Sequence, residues 1–260
     1  MNTTPAYFLR VDDTHFEPTV HTGGGWDPDE IHFSPLGGLV VHAIERHLAD
    51  GATSLVLSRL SFDILGRLAT DTCEIRVTTV RPGRTIELVE ATVLIGGRAV
   101  VLARAWLLAR GDTSAIAGET APAIASPDSV PRASLGTDWP GGYIASLEVR
   151  PGGSPAPGRA TVWLSTEVAL IADEPVSDLA SFVALVDTAN GVAIRENPRE
   201  WIFPNVDLTV HFYRQPEGGW VGLDTSVAFG PTGQGVTSSV LHDIHGAVGF
   251  AQQMLTVRPV

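Results

Sequence analysis

The feature that most constrains this chain is an internal duplication. Apolar residues recur at helical spacing over residues 36–50, "LGGLVVHAIERHLAD", and again over residues 178–194, "DLASFVALVDTANGVAI". Each predicted helix is followed by segments that alternate apolar and polar residues with period two, which is typical of half-buried strands. The last of these segments, "AVVLARAWLLAR" and "AVGFAQQMLTVR", begin at residues 99 and 247, an offset of 148. We interpret the chain as two copies of one unit.

The turn signals within the two copies agree with this interpretation. "LIGGRAVV" and "HDIHGAVG" predict matching hairpins, and "RPGRTIEL" and "GPTGQGVTSS" predict matching kinks between long strand segments. An apolar helix ahead of an antiparallel sheet must be covered by that sheet, so each unit is predicted to be α+β, with the helix first. We expect repeats over residues 1–110 and 158–260. Residues 111–157, rich in Ala, Ser, Pro and Gly, are predicted as a linker with one ordered island, "WPGGYIASLEVR".

Composition excludes several classes of function. The 260 residues carry a net charge of −12, which disfavours binding to nucleic acid or to an anionic lipid surface. The N-terminal residues lack the pattern of a secretory signal, and no apolar run is long enough to span a membrane. Cys73 is the single cysteine, so no internal disulfide is possible. We expect a soluble cytoplasmic protein.

One carboxylate stands out in the second predicted helix. Asp187 is surrounded by apolar residues, while Asp178 is the predicted N-cap and Gly191 the stop signal. The simpler interpretation puts Asp187 on a solvated face. The alternative is a functional carboxylate, because burial raises the pKa of an acid and makes it a stronger base.

Several segments resemble a known family, the double hot-dog acyl-CoA thioesterases of the thioesterase II type. They are "FEPTVHTGGGWDPDEIHFSPLGGLVVHAIER", "VRPGRTIELVEATVLIGGRAVVLARAW", "ALVDTANGVAI", "FPNVDLTVHFYRQPEGGWV" and "GFAQQMLTVRP". The resemblance implies a double hot-dog fold, in which each half is a sheet curled around one long helix and the two sheets join. The exposed outer face and edges of such a sheet favour a homo-oligomer, most simply a dimer of double hot-dogs.

The resemblance also implies a site. In this family an aspartate, a hydroxyl residue and a glutamine hold a water, and these positions correspond to Asp187, Asn205 and Gln253. Asn205 departs from the family's Ser or Thr, although an amide can still orient a water or a carboxylate. Gln252 is the alternative to Gln253, and Thr209 the alternative to Asn205.

The implied reaction is hydrolysis of an acyl-CoA or a related acyl thioester. Asp187 would act as general base, and Gln253 would orient the water or donate toward the oxyanion. Backbone N–H groups at a helix N-terminus can do the same, so Gly37 and Gly38, together with Thr209, are the expected substrate-binding residues. The first helix offers Glu45 as a counter-candidate, which we interpret instead as part of a solvated helix end.

Two other functions remain open from the sequence. A non-catalytic acyl-thioester-binding protein is suggested by Asn205, and an enoyl-CoA hydratase by the acid-to-histidine spacing from Asp27 to His32 in "WDPDEIH". The "HDIHG" stretch, residues 242–246, is interpreted as a turn rather than a zinc site, since no third ligand is evident. No metal and no cofactor are expected.

Overall fold

The computed structural model describes residues 5–49, 54–119, 121–133 and 139–260, and they form an α+β structure. The N-terminal half contains one long helix, α1 (Phe33–Ala49), and six strands. The strands are β1 (Ala6–Arg10), β2 (His15–Pro18), β3 (Leu55–Ile64), β4 (Cys73–Arg81), β5 (Ile86–Ile95) and β6 (Arg98–Ala109).

The C-terminal half contains helices α2 (Gly142–Ala145), α3 (Asp178–Val186) and α4 (Ala189–Val192). Its strands are β7 (Leu147–Pro151), β8 (Arg159–Thr166), β9 (Ala169–Ile171), β10 (Trp201–Ile202), β11 (Asp207–Phe212), β12 (Val221–Phe229), β13 (Gln234–Asp243), β14 (Gly246–Thr256) and β15 (Arg258–Pro259). Strands β12, β13 and β14 each begin 148 residues after β4, β5 and β6, which confirms the predicted offset.

The two halves share one sheet. Its strand order is β7-β8-β12-β13-β14-β11-β3-β6-β5-β4-β2-β1-β9, and the halves meet where β11 pairs antiparallel with β3. In this pairing Val210 lies opposite Leu60, and both are fully buried. The predicted double hot-dog arrangement, with two sheets joined into one, is therefore confirmed.

The sheet wraps around α1 and α3, which pack against each other. The helices are antiparallel, because Ser34 near the start of α1 lies 3.3 Å, hydroxyl to hydroxyl, from Thr188 just beyond the end of α3. At the opposite end, the Ser177 hydroxyl before α3 donates to Glu45 of α1 at 2.7 Å. The end of α3 is thus held beside the start of α1, between the two halves of the chain.

Gly38 allows the two helices to approach closely. A Cβ at this position would lie 2.6 Å from both the Ala180 carbonyl oxygen and the Ala184 Cβ of α3. Gly37 is different, since a Cβ there would make ordinary contacts of 3.5 Å or more. Glycine is a poor helix former, so its presence at position 38 reflects the packing of α1 on α3 rather than helix propensity.

Three details of the sequence interpretation are wrong. Neither half begins with its helix: β1 and β2 precede α1, and β7, β8 and β9 precede α3. The predicted kinks are hairpin turns, since β4 pairs antiparallel with β5, and β12 with β13. The N-cap of α3 is Ser177, whose side chain accepts from the Ala180 N–H, while Asp178 lies in the first turn, where its charge still favours the helix dipole.

Part of the segment predicted as a linker has regular structure. The ordered island contains α2 and β7, and β7 pairs antiparallel with β8. Trp139 and Tyr143 of this island are buried in the common core. None of the helices in the described residues has both the length and the apolar character that a membrane crossing requires.

The glycine pair of α1 provides a stability test. Gly38→Ala should reduce the free energy of unfolding by about 1–3 kcal/mol, because the added methyl forces the helices apart. Gly37→Ala, the matched control, should be neutral or stabilising by up to about 1 kcal/mol, since the site has room and alanine favours the helix. Urea unfolding followed by circular dichroism measures both. Equal effects of the two substitutions would contradict the close packing at Gly38.

Candidate active site

Asp187 lies where α3 ends. It is the C-cap residue, and the chain continues through Thr188 into the short α4, so the predicted single helix over residues 178–194 is wrong. The Asp187 carbonyl accepts from the side chain of Gln253 at 3.2 Å, and the backbone turns here, with the Thr188 N–H donating to the Leu185 carbonyl and the Gly191 N–H to the Thr188 carbonyl. Asp187 is 5% exposed, so the solvated-face interpretation is wrong as well.

The structure brings Asp187, Asn205 and Gln253 together. Asn205 Nδ2 and Gln253 Nε2 each donate to Asp187 Oδ1 at 2.7 Å. Gln253 is 66 residues from Asp187 and reaches it from β14, the strand next to β11. Asn205 is fixed in turn by a bond from its Nδ2 to the Asp207 carbonyl oxygen, 3.1 Å away. One carboxylate oxygen is thus held by two amides from separate elements.

Burial sets the acidity of this carboxyl group. It raises the pKa of Asp187 to about 6, against the lowering effect of the two hydrogen bonds from Asn205 and Gln253. The end of a helix is also the negative end of its dipole, which further disfavours a carboxylate. The result is a group that is ionised near neutral pH and yet more basic than an aspartate in water.

Asp187 lines a cavity of about 470 Å³, and its second oxygen, Oδ2, lies 4.0 Å from Nδ1 of His32, which lines the same cavity. Among the residues described, no side chain or backbone group donates a hydrogen bond to Oδ2. The cavity wall is mixed, with the apolar side chains of Ile31, Ile64, Leu68 and Ile144 beside several polar ones. Trp26 and Trp139 also line it and pack edge to face at 4.7 Å. A carboxylate oxygen beside this cavity that accepts from no described residue is suited to bind a water and take its proton.

Other predicted site residues lie away from the cavity. Thr209 and Gln252 are cross-strand partners on the outer side of the sheet, where both line a separate hollow, so Gln253 and not Gln252 reaches Asp187. Gly37 and Gly38 are buried in the contact with α3, not among the residues that line the cavity. The structure therefore does not support Thr209, Gly37 or Gly38 as side-chain or wall contacts of a ligand next to Asp187.

Glu45 lies at the other end of the helix pair. Its side chain is half-buried and accepts from Ser177, and burial raises its pKa. It is therefore not the solvated, ion-paired residue that we expected. It borders a different and smaller hollow than the one that Asp187 faces.

His32 is the site residue whose position the sequence did not predict. It precedes α1 and lines the cavity, with Nδ1 4.0 Å from Asp187 Oδ2. The Ser34 N–H donates to this nitrogen at 3.1 Å, and the ring stacks on Tyr143 at 4.2 Å. The signal was present in "WDPDEIH", but a loop residue at the start of one helix gives no indication that the end of another helix lies beside it.

Comparison with solved structures supports the fold. A putative thioesterase II from Thermobifida fusca aligns with a TM-score of 0.73 and 18% identity, covering 99% of each chain. A protein of unknown function with a hot-dog fold from Alicyclobacillus acidocaldarius aligns with a TM-score of 0.75 and 17% identity over 97% of this chain and 96% of that one. An acyl-CoA thioesterase II from Mycobacterium marinum aligns with a TM-score of 0.67 and 14% identity over 97% and 95%.

Comparison with family models identifies the family of the chain as well as its fold. No curated protein sequence matches the chain significantly. The model of the acyl-CoA thioesterase N-terminal domain matches residues 22–108, and the model of the acyl-CoA thioesterase C-terminal domain matches residues 122–257. The second match alone spans more than half of the chain and contains Asp187, Asn205 and Gln253. The chain belongs to the acyl-CoA thioesterase family.

Proposed function

We propose that this protein hydrolyses the thioester of fatty acyl-CoA or a related acyl thioester, with Asp187 as general base. The observation that carries the proposal is the convergence of Asn205 and Gln253 on the buried carboxylate of Asp187, which lines a cavity of about 470 Å³. The family matches support the reaction class.

The proposed mechanism follows from the two oxygens of Asp187. Oδ1 is occupied by the two amides, so Oδ2 binds the water and takes one of its protons as the water oxygen attacks the carbonyl carbon. The carbon–sulfur bond then breaks and the electron pair leaves on sulfur. The thiolate is a good leaving group, and the proton held on Asp187 can return to it. The products are a carboxylic acid and the free thiol.

Asn205 has a defined role in this scheme. An amide cannot relay a proton as a hydroxyl can, but it donates to Oδ1 at 2.7 Å and keeps the carboxylate plane fixed. The Asn205 geometry therefore supports an active enzyme over the alternative of a non-catalytic acyl-thioester-binding protein.

The cavity supports a CoA thioester as substrate. The apolar part of its wall can contact an acyl chain, and two arginines, Arg67 and Arg258, also line it. Arg67 is paired with Asp27 and Glu30, while Arg258 donates to the Thr256 hydroxyl and has no acidic partner among the described residues. In a chain of net charge −12, Arg258 is a local cation that can attract a phosphate group of CoA.

A second candidate is an enoyl-CoA hydratase, favoured by one observation. His32 and Asp187 come from different halves of the chain and line the same cavity, 4.0 Å apart. Water addition would remove the absorbance of a 2-enoyl-CoA without releasing thiol. Hydrolysis would release thiol that reacts with a disulfide reagent, so the two assays on one substrate separate the candidates.

We also propose a cytoplasmic location and a homo-oligomer, most simply a dimer. Phe250 and Met254 of β14 are nearly half exposed on the outer side of the shared sheet, and the ring of Phe250 lies 6.2 Å from that of Tyr213. Apolar side chains grouped on one sheet face favour association. Light scattering at micromolar concentration should give twice the mass of the chain, and a monomeric mass would refute the dimer.

Asp187→Asn tests the base directly. The amide keeps the size of the side chain but cannot take a proton, so kcat on acyl-CoA substrates should fall by about 100-fold or more. The variant should fold, because removing a buried charge is not destabilising. Glu45→Gln, the matched change at the other end of the helix pair, should keep wild-type kcat. A thiol-release assay over short, medium and long acyl-CoAs measures both, and an active Asp187→Asn would exclude Asp187 as the base.

The pH dependence provides an independent test. Since the ionised form of Asp187 is the base, kcat/KM should be low in acid, rise through an apparent pKa of about 6 and level off above it. Gln253→Leu removes a hydrogen bond that lowers this pKa, so the midpoint should move to higher pH. Gln252→Leu, one residue away on the outer side of the sheet, should leave the midpoint unchanged. If the wild type and both variants gave the same pH profile, the activity would not depend on the ionisation of Asp187.

A further inference from the structure

His32 has a fixed tautomer that the mechanism above does not use. Its Nδ1 accepts a hydrogen bond from the Ser34 N–H at 3.1 Å, in the first turn of α1. An imidazole nitrogen that accepts from a backbone N–H carries no proton, so in the neutral ring the proton is on Nε2. The start of α1 therefore determines which edge of His32 is a donor.

The surroundings keep this ring neutral. Burial lowers the pKa of His32 to about 3, and the ring stacks on Tyr143 at 4.2 Å. The Tyr143 side chain is itself neutral, since burial raises its pKa, and its hydroxyl lies 2.6 Å from the Thr188 hydroxyl. The 4.0 Å approach of His32 Nδ1 to Asp187 Oδ2 is consequently not an ion pair.

The Nε2–H of His32 is not used in a hydrogen bond to any described residue. Within the described ranges, Nε2 has no hydrogen-bond partner. Gly25, with φ of +92°, faces this edge, and a Cβ there would lie 3.1 Å from Cδ2 and 3.6 Å from Nε2. Glycine at position 25 keeps a side chain away from this edge of the ring, and both residues line the cavity.

Most other polar side chains of the cavity wall are already engaged. Asn205 donates to Asp187, Trp139 donates to the Gly191 carbonyl, and Asn190 donates to the Phe203 carbonyl. Arg67 is held by its two acidic partners. His32 combines an N–H that no described residue accepts with a ring nitrogen 4.0 Å from Oδ2 of Asp187.

We propose that the Nε2–H of His32 donates a hydrogen bond to the carbonyl oxygen of the thioester and stabilises the oxyanion that forms when water attacks. This role rests on the proposed hydrolysis and names one more catalytic residue for it. Nδ1 of His32 lies 4.0 Å from Oδ2 of Asp187, and Nε2 belongs to the same five-membered ring. The donor and the base are therefore close enough for one to bind the carbonyl while the other activates the attacking water.

A neutral donor suits this position better than a charged one. An imidazolium beside Asp187 would stabilise the carboxylate, lower its pKa and weaken the base. A neutral N–H on a ring that is mostly buried still stabilises developing negative charge, because little water competes for it. No proton is transferred to or from His32 in this role, and the ring serves only as a hydrogen-bond donor.

Two substitutions separate the donor from the structural role of the ring. In His32→Asn the side-chain oxygen can still accept from the Ser34 N–H, but nothing replaces Nε2–H. In His32→Gln the longer side chain carries an amide N–H to about the position of Nε2. We expect His32→Asn to lower kcat by about 100-fold, with KM changed little, and His32→Gln to restore at least about a tenth of the wild-type kcat.

The pH profile distinguishes loss of the hydrogen-bond donor from a loss of protein stability. Because the donor is neutral, the midpoint of kcat/KM near pH 6 should be the same in His32→Asn and in the wild type. A full wild-type kcat in His32→Asn would overturn the proposal. A shifted midpoint would also overturn it, since His32 would then act on Asp187 rather than on the carbonyl. If the wild type releases no thiol from any acyl-CoA, the proposed function itself fails.

Infrared spectroscopy observes the proposed bond directly. Octanoyl-CoA labelled at its thioester carbonyl is bound to Asp187→Asn, which should hold it intact, and to the double variant that also carries His32→Asn. A hydrogen bond from Nε2 should lower the carbonyl stretching frequency in the first complex and not in the second. Equal frequencies in the two complexes would overturn the proposal even where the wild type is an active thioesterase.

Discussion

The site depends on one interaction, the pair of hydrogen bonds that fixes Asp187 Oδ1. A buried carboxylate without partners would cost several kcal/mol, or would remain protonated at neutral pH. The amides of Asn205 and Gln253 reduce that cost without adding positive charge, so the group stays ionised near neutral pH and its pKa stays near 6. An arginine or lysine in their place would pair with Asp187 and remove its basicity. The two neutral donors therefore keep the carboxylate both buried and basic.

The fold explains why the site exists at one end of the helix pair and not at both. The residues 148 positions before Gln253 and Asn205 are Ala105 and Leu57, both buried and neither able to donate from its side chain. Glu45, at the end of the helix pair opposite Asp187, has the Ser177 hydroxyl as its side-chain partner instead. The duplication thus supplies two similar scaffolds, and the amides that hold a carboxylate occur in the C-terminal one. The N-terminal half contributes to the Asp187 end through the antiparallel α1, whose start carries His32.

The sequence predicted the repeat, the shared sheet and the pairing of Asp187 with Gln253, because these follow from periodic patterns and from the family resemblance. It did not predict β1, β2 or β7, which are strands of four or five residues, too short for a period-two pattern to be distinctive. The choice between Gln252 and Gln253 depends on which face of β14 is buried, and a shift of one residue reverses that assignment. The end of α3 at Asp187 was missed because a side chain from β14, distant in sequence, binds its carbonyl.

The same region contains polar atoms that lack partners. Gln253 Oε1 and the Thr237 hydroxyl are buried with no hydrogen bond within the described residues, and the two residues lie opposite each other on neighbouring strands. Each such group costs about 1–3 kcal/mol. A core selected for stability alone would place apolar side chains at both positions. Gln253 nevertheless remains, with both bonds from its amide nitrogen directed at Asp187, so its geometry is explained by the carboxylate and not by the packing of the sheet. Stability lost at Gln253 is therefore coupled to the ionisation of Asp187, because a substitution that removes the unpaired oxygen also removes a hydrogen bond that lowers the pKa of Asp187.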